Sequence, residues 1–240
     1  MMRLPARLTA QLAKARIARI FKPAVARSLV HCVDPAEILH PGSAAPVSRE
    51  KMQALVESPS PVIWIGGSEP LVNPGIGHFV RAIGQNDRFV FLETGGALLR
   101  RRIHEFQPLP QLFLSVRLGA LDAESGFALE GLRATRLSGF FTVIHSIVGE
   151  NSRLAELEAL RLFILERDVD GWLMTAESAD QAVVHKAAEA RRFIPSLFWQ
   201  QFSRQIEQAI LKETKRREVA GVPHANESGA ESEEENVKVA

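Results

Sequence analysis

Residues 61–74 read Pro61-Val62-Ile63-Trp64-Ile65-Gly66-Gly67-Ser68-Glu69-Pro70-Leu71-Val72-Asn73-Pro74. The first five are almost wholly apolar and end at turn-forming residues, the pattern of a short strand covered on both faces. Two glycines then let the backbone turn tightly and approach a ligand. A glutamate follows, and Asn73-Pro74 supplies a cap and a first helical residue. The next residues place Ile76, Phe79, Val80 and Ile83 on one helical face that ends near Gly84. A buried strand, a short loop and an amphipathic helix thus follow one another directly.

The same unit recurs on both sides. Further strands are predicted over 28–33, 88–92, 112–116, 140–147 and 171–174. Helices are predicted from a Ser48 cap with Met52, Leu55 and Val56 on one face, over 97–106 before Pro108 and Pro110, and over 123–137, 152–166 and 179–192. In the segment 152–166, Leu154, Leu157 and Ile164 form the stripe to be buried, with Arg161 at its edge. A last helix over 195–217 repeats Phe198, Phe202, Ile206 and Ile210 at four-residue spacing, which docks it on the domain. About six consecutive strand–helix units fit an α/β fold with a parallel partial barrel better than a closed eight-unit barrel. A doubly wound open sheet satisfies the same periodicity, so both architectures stand. The chain divides into an N-terminal basic helix (1–25), a partial barrel with its C-terminal docking helix (26–218) and an acidic tail expected to be disordered (219–240).

Composition narrows the function classes. The 240 residues are 46% hydrophobic, enough for a substantial core. No apolar run approaches the roughly 20 residues that cross a bilayer, and the first residues lack the pattern of a secretion signal, so a cytoplasmic protein is expected. The one cysteine, Cys32, excludes an internal disulfide and a zinc cage of thiolates. A net charge of +1 hides a basic start, with Arg3, Arg7, Lys14, Arg16, Arg19, Lys22 and Arg27 ahead of the first acid, Asp34. Leu4, Leu8 and Leu12 form a stripe that Arg16 and Arg19 interrupt. That stripe is expected to pack on its own domain, with peripheral membrane contact as the lesser alternative and no nucleic-acid partner. Arg100-Arg101-Arg102 fan around a helix and read as its solvated face.

In parallel barrels and open sheets alike, ligands sit beyond the carboxyl ends of the strands. Those ends carry Gly66-Gly67-Ser68-Glu69-Pro70 after the second strand and Glu93-Thr94-Gly95-Gly96 after the third. Ser115 and Arg117 follow the fourth, His145 and Ser146 the fifth, and Thr175 and Glu177 the sixth. Two of these turns carry a resemblance. The stretch Gly67-Ser68-Glu69-Pro70-Leu71-Val72 resembles the Gly-Gly-Glu-Pro turn after the second strand of radical S-adenosylmethionine (radical SAM) domains, with serine for one glycine. Thr94-Gly95-Gly96-Ala97-Leu98-Leu99 is similar to the Thr-Asn-Gly turn after their third strand, with glycine for asparagine. The resemblance spans roughly Leu29 to Thr175 and implies a partial (βα)6 barrel. It also implies that S-adenosylmethionine binds at Gly66, Gly67, Glu69, Thr94 and Ser115. The Gly66-Gly67 backbone and Glu69 would face the methionyl amino group, and Ser115 the ribose. Arg117 and His145 are further pocket candidates.

The resemblance breaks where that family places C-x3-C-x2-C, whose three thiolates hold a four-iron, four-sulfur cluster. With Cys32 in the first position, Ala36 and Leu39 stand in the second and third. No iron–sulfur cluster is therefore expected. His31, Asp34, Glu37 and His40 share the stretch but read as scattered polar residues, and Cys32 as a small buried hydrophobe. A Gly-x-Ser-x-Gly elbow, a phosphate loop and a His-Glu-x-x-His pair are absent from the sequence. Three functions are compatible with these residues. The first is a pseudoenzyme that binds S-adenosylmethionine or a related small ligand, beside an active relative as protein partner. The second is an enzyme using the strand-end pocket without a cluster, and the third an active radical SAM enzyme with metal ligands supplied partly from elsewhere.

Overall fold

The computed structural model describes residues 5–21, 28–38, 49–167 and 169–220. The expectations for Leu4, Leu39, His40, the Ser48 cap and the acidic tail beyond residue 220 fall outside these residues. Six parallel strands form one sheet: β1 (Val30–Val33), β2 (Val62–Ile65), β3 (Phe89–Thr94), β4 (Leu112–Arg117), β5 (Phe141–Val148) and β6 (Gly171–Ala176). They lie side by side in chain order, and this decides between the two architectures left open by periodicity. A doubly wound sheet reverses direction beside its first strand; here each unit adds to the same side, and the sheet curls into a half-barrel.

Strand register explains where the core sits. Cys32, Trp64, Phe91, Phe113 and Phe141 are successive cross-strand partners, so one row of the inner face is largely aromatic. The Phe91 and Phe113 rings stack at 4.4 Å and Phe113 and Phe141 at 5.1 Å. Side chains alternate between faces, so the next inner row, toward the strand ends, is Glu93, Ser115, Val143 and Gly171. Above that lie Arg117, His145 and Leu173. An apolar floor and a polar rim on the same strands thus follow from sequence parity.

The connecting segments are α2 (Pro35–Ile38), α3 (Arg49–Val56), α4 (Ile76–Gly84), α5 (Leu99–Arg102), α6 (Gly126–Leu137), α7 (Leu154–Glu166) and α8 (Gln181–Ala190). Ahead of them runs α1 (Ala6–Phe21), and after them α9 (Leu197–Ala220). Helix α9 packs on the inner side of the sheet and reaches from β6 to β1. Phe202 meets Phe91 at 5.2 Å, and Trp199 occupies the space where Gly171 has no side chain. Ser203 Oγ accepts from the Met174 amide at 3.1 Å, and Glu207 from the Ala176 amide at 2.7 Å. Glu207 is also ion-paired with Arg191 at 2.9 Å, both groups being buried. The apolar stripe of α1 is docked: Leu8 and Leu12 are buried, and Arg16 donates to Gln201 of α9 at 3.0 Å.

Several predicted details change. The segment 97–106 holds only α5 and a 3-10 turn, Ile103–Glu105, in place of a full helix. Arg102 is not solvated, because it donates to Glu105 and to the Leu71 carbonyl; Arg100 is exposed and faces Glu130 at 3.5 Å. Strands β3 and β6 extend to Thr94 and Ala176, since their polar terminal residues are buried rather than turned outward. Asn73 closes the 3-10 turn Pro70–Val72 and accepts from the Gly75 amide at 2.8 Å, leaving Gly75 as the residue preceding α4. In α7 Leu160 joins Leu157 and Ile164 in the core, with Leu154 half-buried. Ser146 is a core residue, accepting from Trp172 Nε1 at 3.0 Å and donating to the Leu118 carbonyl.

Candidate functional site

A cavity of about 310 Å³ opens beyond the carboxyl ends of the strands, the size of a small-molecule pocket. Its wall takes Cys32 from β1, Trp64 with Gly66 and Gly67 from β2 and its loop, Glu93 from β3 and Arg117 from β4. His145 comes from β5 and Thr175 from β6, and the last turns of α9 close it with Glu213, Thr214 and Arg217.

At its floor Glu93, His145 and Thr175 form a continuous line. His145 Nδ1 lies 2.6 Å from Glu93 Oε1, and its Nε2 lies 2.8 Å from Thr175 Oγ1. All three side chains are buried. Burial pushes the Glu93 carboxyl up, but the charge and hydrogen bond of His145, the Arg117 charge and the Gly67 N–H together hold it below the ordinary carboxylate range. The edge of Trp64 meets the His145 ring at 5.1 Å and 84°, which fixes the imidazole plane. Sequence reasoning offered His145 as a pocket group and missed Glu93, which it read as part of a turn.

The residues implied by the resemblance are divided by the structure. Gly66 and Gly67 line the cavity. Gly67 has φ +102°, and a Cβ there would lie 2.8 Å from Asp34 Oδ2, so the loop accepts only glycine without strain. Glu69 meets Thr94: Oε1 accepts from Thr94 Oγ1 at 2.7 Å and from the Leu71 amide at 3.2 Å. Its Oε2 accepts from the Gly95 amide at 2.8 Å and lies 3.6 Å from Arg117. The carboxylate therefore staples the β2 loop to the β3 loop. Ser115 is fully buried beside Glu93 in the register, with no hydrogen-bond partner for its hydroxyl among the described residues, and is not part of the cavity wall.

On the β1 side, Asp34 accepts from Ser68 Oγ, from the Ala36 amide at 3.0 Å and from Arg217 at 2.7 Å. Arg217 also pairs with Glu37 at 3.2 Å. Burial pushes the Asp34 carboxyl up, and the hydrogen bonds from Ser68, Ala36 and Arg217 outweigh it, leaving the group below its ordinary value. Burial pushes the Cys32 thiol up to about 12, with Glu213 adding to the shift. His31 bonds Ser58 at 2.9 Å, and burial lowers its pKa. Among the described residues no three His, Cys, Asp or Glu groups converge as a metal site.

No family model matches the chain, and no curated protein matches it in sequence. Among solved structures it is similar to SuiB of Streptococcus suis bound to S-adenosylmethionine, at 12% identity and a TM-score of 0.54, covering 88% of this chain and 52% of that one. A second SuiB structure gives the same score over 90% of this chain. A shorter likeness to archaeal TYW1 covers 54% of this chain and 48% of that one, at 17% identity and a TM-score of 0.40. The chain spans about half the length of the solved structures it matches. The likeness to SuiB shows the fold, a partial (βα)6 barrel of the radical SAM type. No helix among the described residues is long and apolar enough to cross a membrane.

The donor set does not fit the iron–sulfur cluster of that fold's enzymes. Each cluster iron held by protein takes a strong anionic ligand, normally thiolate. Here the β1 flank offers Cys32, the one thiol of the chain, Ala36 with no donor, and two carboxylates already held by Arg217.

Proposed function

We propose that this chain is a cytoplasmic pseudoenzyme of the radical SAM fold. Its strand-end cavity takes S-adenosylmethionine or a related small molecule, and no cluster-dependent radical chemistry follows. One observation carries the reading: the cavity is present, yet the flank where cluster thiolates belong is closed by the ion pairs of Arg217 with Asp34 and Glu37. Gly66 and Gly67 bring backbone to the ligand, while Glu69 and Thr94 hold the two loops around it and Ser115 lies buried behind. The role that follows is binding or regulation beside an active relative.

A cluster-free enzyme is the second reading. It is favoured by the carboxylate–imidazole–hydroxyl line of Glu93, His145 and Thr175 facing the same cavity. In it Glu93 orients the imidazole through Nδ1, and Nε2 is held by Thr175 Oγ1 at the edge of the space a ligand would fill.

Calorimetry with S-adenosylmethionine, beside iron and sulfide determination after anaerobic reconstitution, tests the proposal. Saturable binding without stoichiometric iron and sulfide is expected. Stoichiometric iron and sulfide with a cubane absorption band returns the chain to the cluster enzymes. Absence of binding removes S-adenosylmethionine as ligand.

A further inference from the structure

Two polar atoms in the cavity wall are left without adequate partners. Trp64 is almost fully buried and lines the cavity, and among the described residues its Nε1–H has no hydrogen-bond acceptor. Glu93 Oε1 is bound to His145, while Oε2 receives only the Gly67 amide at 3.4 Å, at the outer limit of a hydrogen bond. Both atoms flank Gly66. A Cβ on Gly66 would lie 2.3 Å from Glu93 Oε2 and 2.7 Å from Trp64 Nε1, closer than a side chain can come, so the donor and the acceptor lie within about 5 Å of each other and one oxygen atom on their cavity side reaches both.

A donor and an acceptor that open into a cavity without strong protein partners are the groups that fix a ligand's orientation there. The pair here selects by type. A carboxylate ligand is repelled by Glu93, and an ammonium group cannot accept from the indole N–H. A hydroxyl does both, accepting from Trp64 and donating to Glu93. We propose that Trp64 Nε1 and Glu93 Oε2, kept apart from any side chain by Gly66, are a recognition subsite for a hydroxyl group of the cavity's ligand. The assignment rests on the reading of the cavity as a small-molecule site. It makes that molecule an alcohol, such as the ribose of a nucleoside. Arg117, Thr175 and Thr214 around the same space extend the polar lining.

The probes are adenosine, 2′,3′-dideoxyadenosine and S-adenosylmethionine, titrated calorimetrically into the unmodified chain and into Trp64→Phe and Gly66→Ala. In the unmodified chain adenosine is expected to bind about five- to tenfold more tightly than the dideoxy nucleoside, the worth of one net hydrogen bond. Trp64→Phe removes the donor and is expected to reduce that preference, and Gly66→Ala to crowd both groups and abolish it. Equal affinity of the two nucleosides for the unmodified chain overturns the subsite while leaving the cavity as a ligand site. A preference that survives Gly66→Ala in a folded variant places hydroxyl recognition elsewhere and overturns it too. Failure of all three probes to bind the unmodified chain overturns both the subsite and the reading beneath it. If Trp64→Phe fails to fold, the nucleoside pair on the unmodified chain and Gly66→Ala still decide.

Discussion

Replacing Glu207 by alanine removes two ties at once: the acceptor for the Ala176 amide of β6 and the partner of Arg191. Arg191 is only 3% exposed, and its Nε already has no hydrogen-bond partner among the described residues. The substitution therefore leaves a buried guanidinium with the Met174 carbonyl at 3.5 Å as its remaining acceptor. Breaking a buried ion pair from one side costs about 3–5 kcal/mol, chiefly through the charge left behind. A domain stable by about 5–15 kcal/mol loses about a fifth of its margin at the least. The assay is urea denaturation followed by circular dichroism, with the midpoint and slope compared at fixed pH. The double variant Arg191→Met with Glu207→Gln removes both charges and keeps an acceptor for Ala176, so it is expected to recover most of the loss. A Glu207→Ala cost below about 1 kcal/mol, or a double variant no better than the single one, refutes the claim that this pair holds α9 on the barrel.

Gly171→Ala is expected to cost about 1–3 kcal/mol, because a Cβ would lie 2.5 Å from the Trp199 ring, and thermal melts of the variant measure it. The Cys32 thiol, raised to about 12 by burial, is expected to resist a thiol-reactive dye at pH 8 until urea exposes it. Its folded value exceeds the ordinary thiol value of 9.0, so stability falls as pH rises from about 9 to 12, and prompt labelling of native protein contradicts this. Asp34 runs in the opposite sense: its folded value lies below 3.8, so its contribution is present above that pH and is lost as pH falls through the folded value. Arg217→Met is expected to flatten that acid dependence, and an unchanged acid profile in urea titrations counts against the pairing.

The strands were legible because each is a short apolar run followed by a turn, and the order of units followed from their repetition. Periodicity alone did not carry the sequential order, since it serves both a barrel and a doubly wound sheet; the two turns that resemble radical SAM domains implied it, and the pairing of the strands in chain order bears it out. Gly66 and Gly67 announced a close approach through their residue type. Glu93 did not: its partner His145 stands 52 residues away, and local pattern carries no trace of that distance. A signal was present in parity. Phe89, Phe91 and Glu93 alternate on one face, as do Phe141, Val143 and His145, so both polar residues continue rows whose earlier members are aromatic or aliphatic. Extending the strand beyond its apolar run would have found the pair. Arg217 was hidden for the same reason, being 183 residues from Asp34 and in a helix whose apolar spacing drew attention to the opposite side.

The reach of α9 from β6 back to β1 also bears on how the molecule is made. During synthesis the strands leave the ribosome in the order in which they pair, so each can add to a sheet already begun. The element that covers the aromatic row and latches Asp34 comes only after all six. Until it arrives, Phe91 lacks Phe202, and the Met174 and Ala176 amides lack Ser203 and Glu207. The nascent half-barrel thus exposes its most aromatic surface for the time taken to translate α8 and α9, at roughly 5–20 residues per second. The long span of this last contact gives its closure a larger entropy cost than the pairing of neighbouring strands. It also makes the unlatched sheet the species on which a chaperone would act.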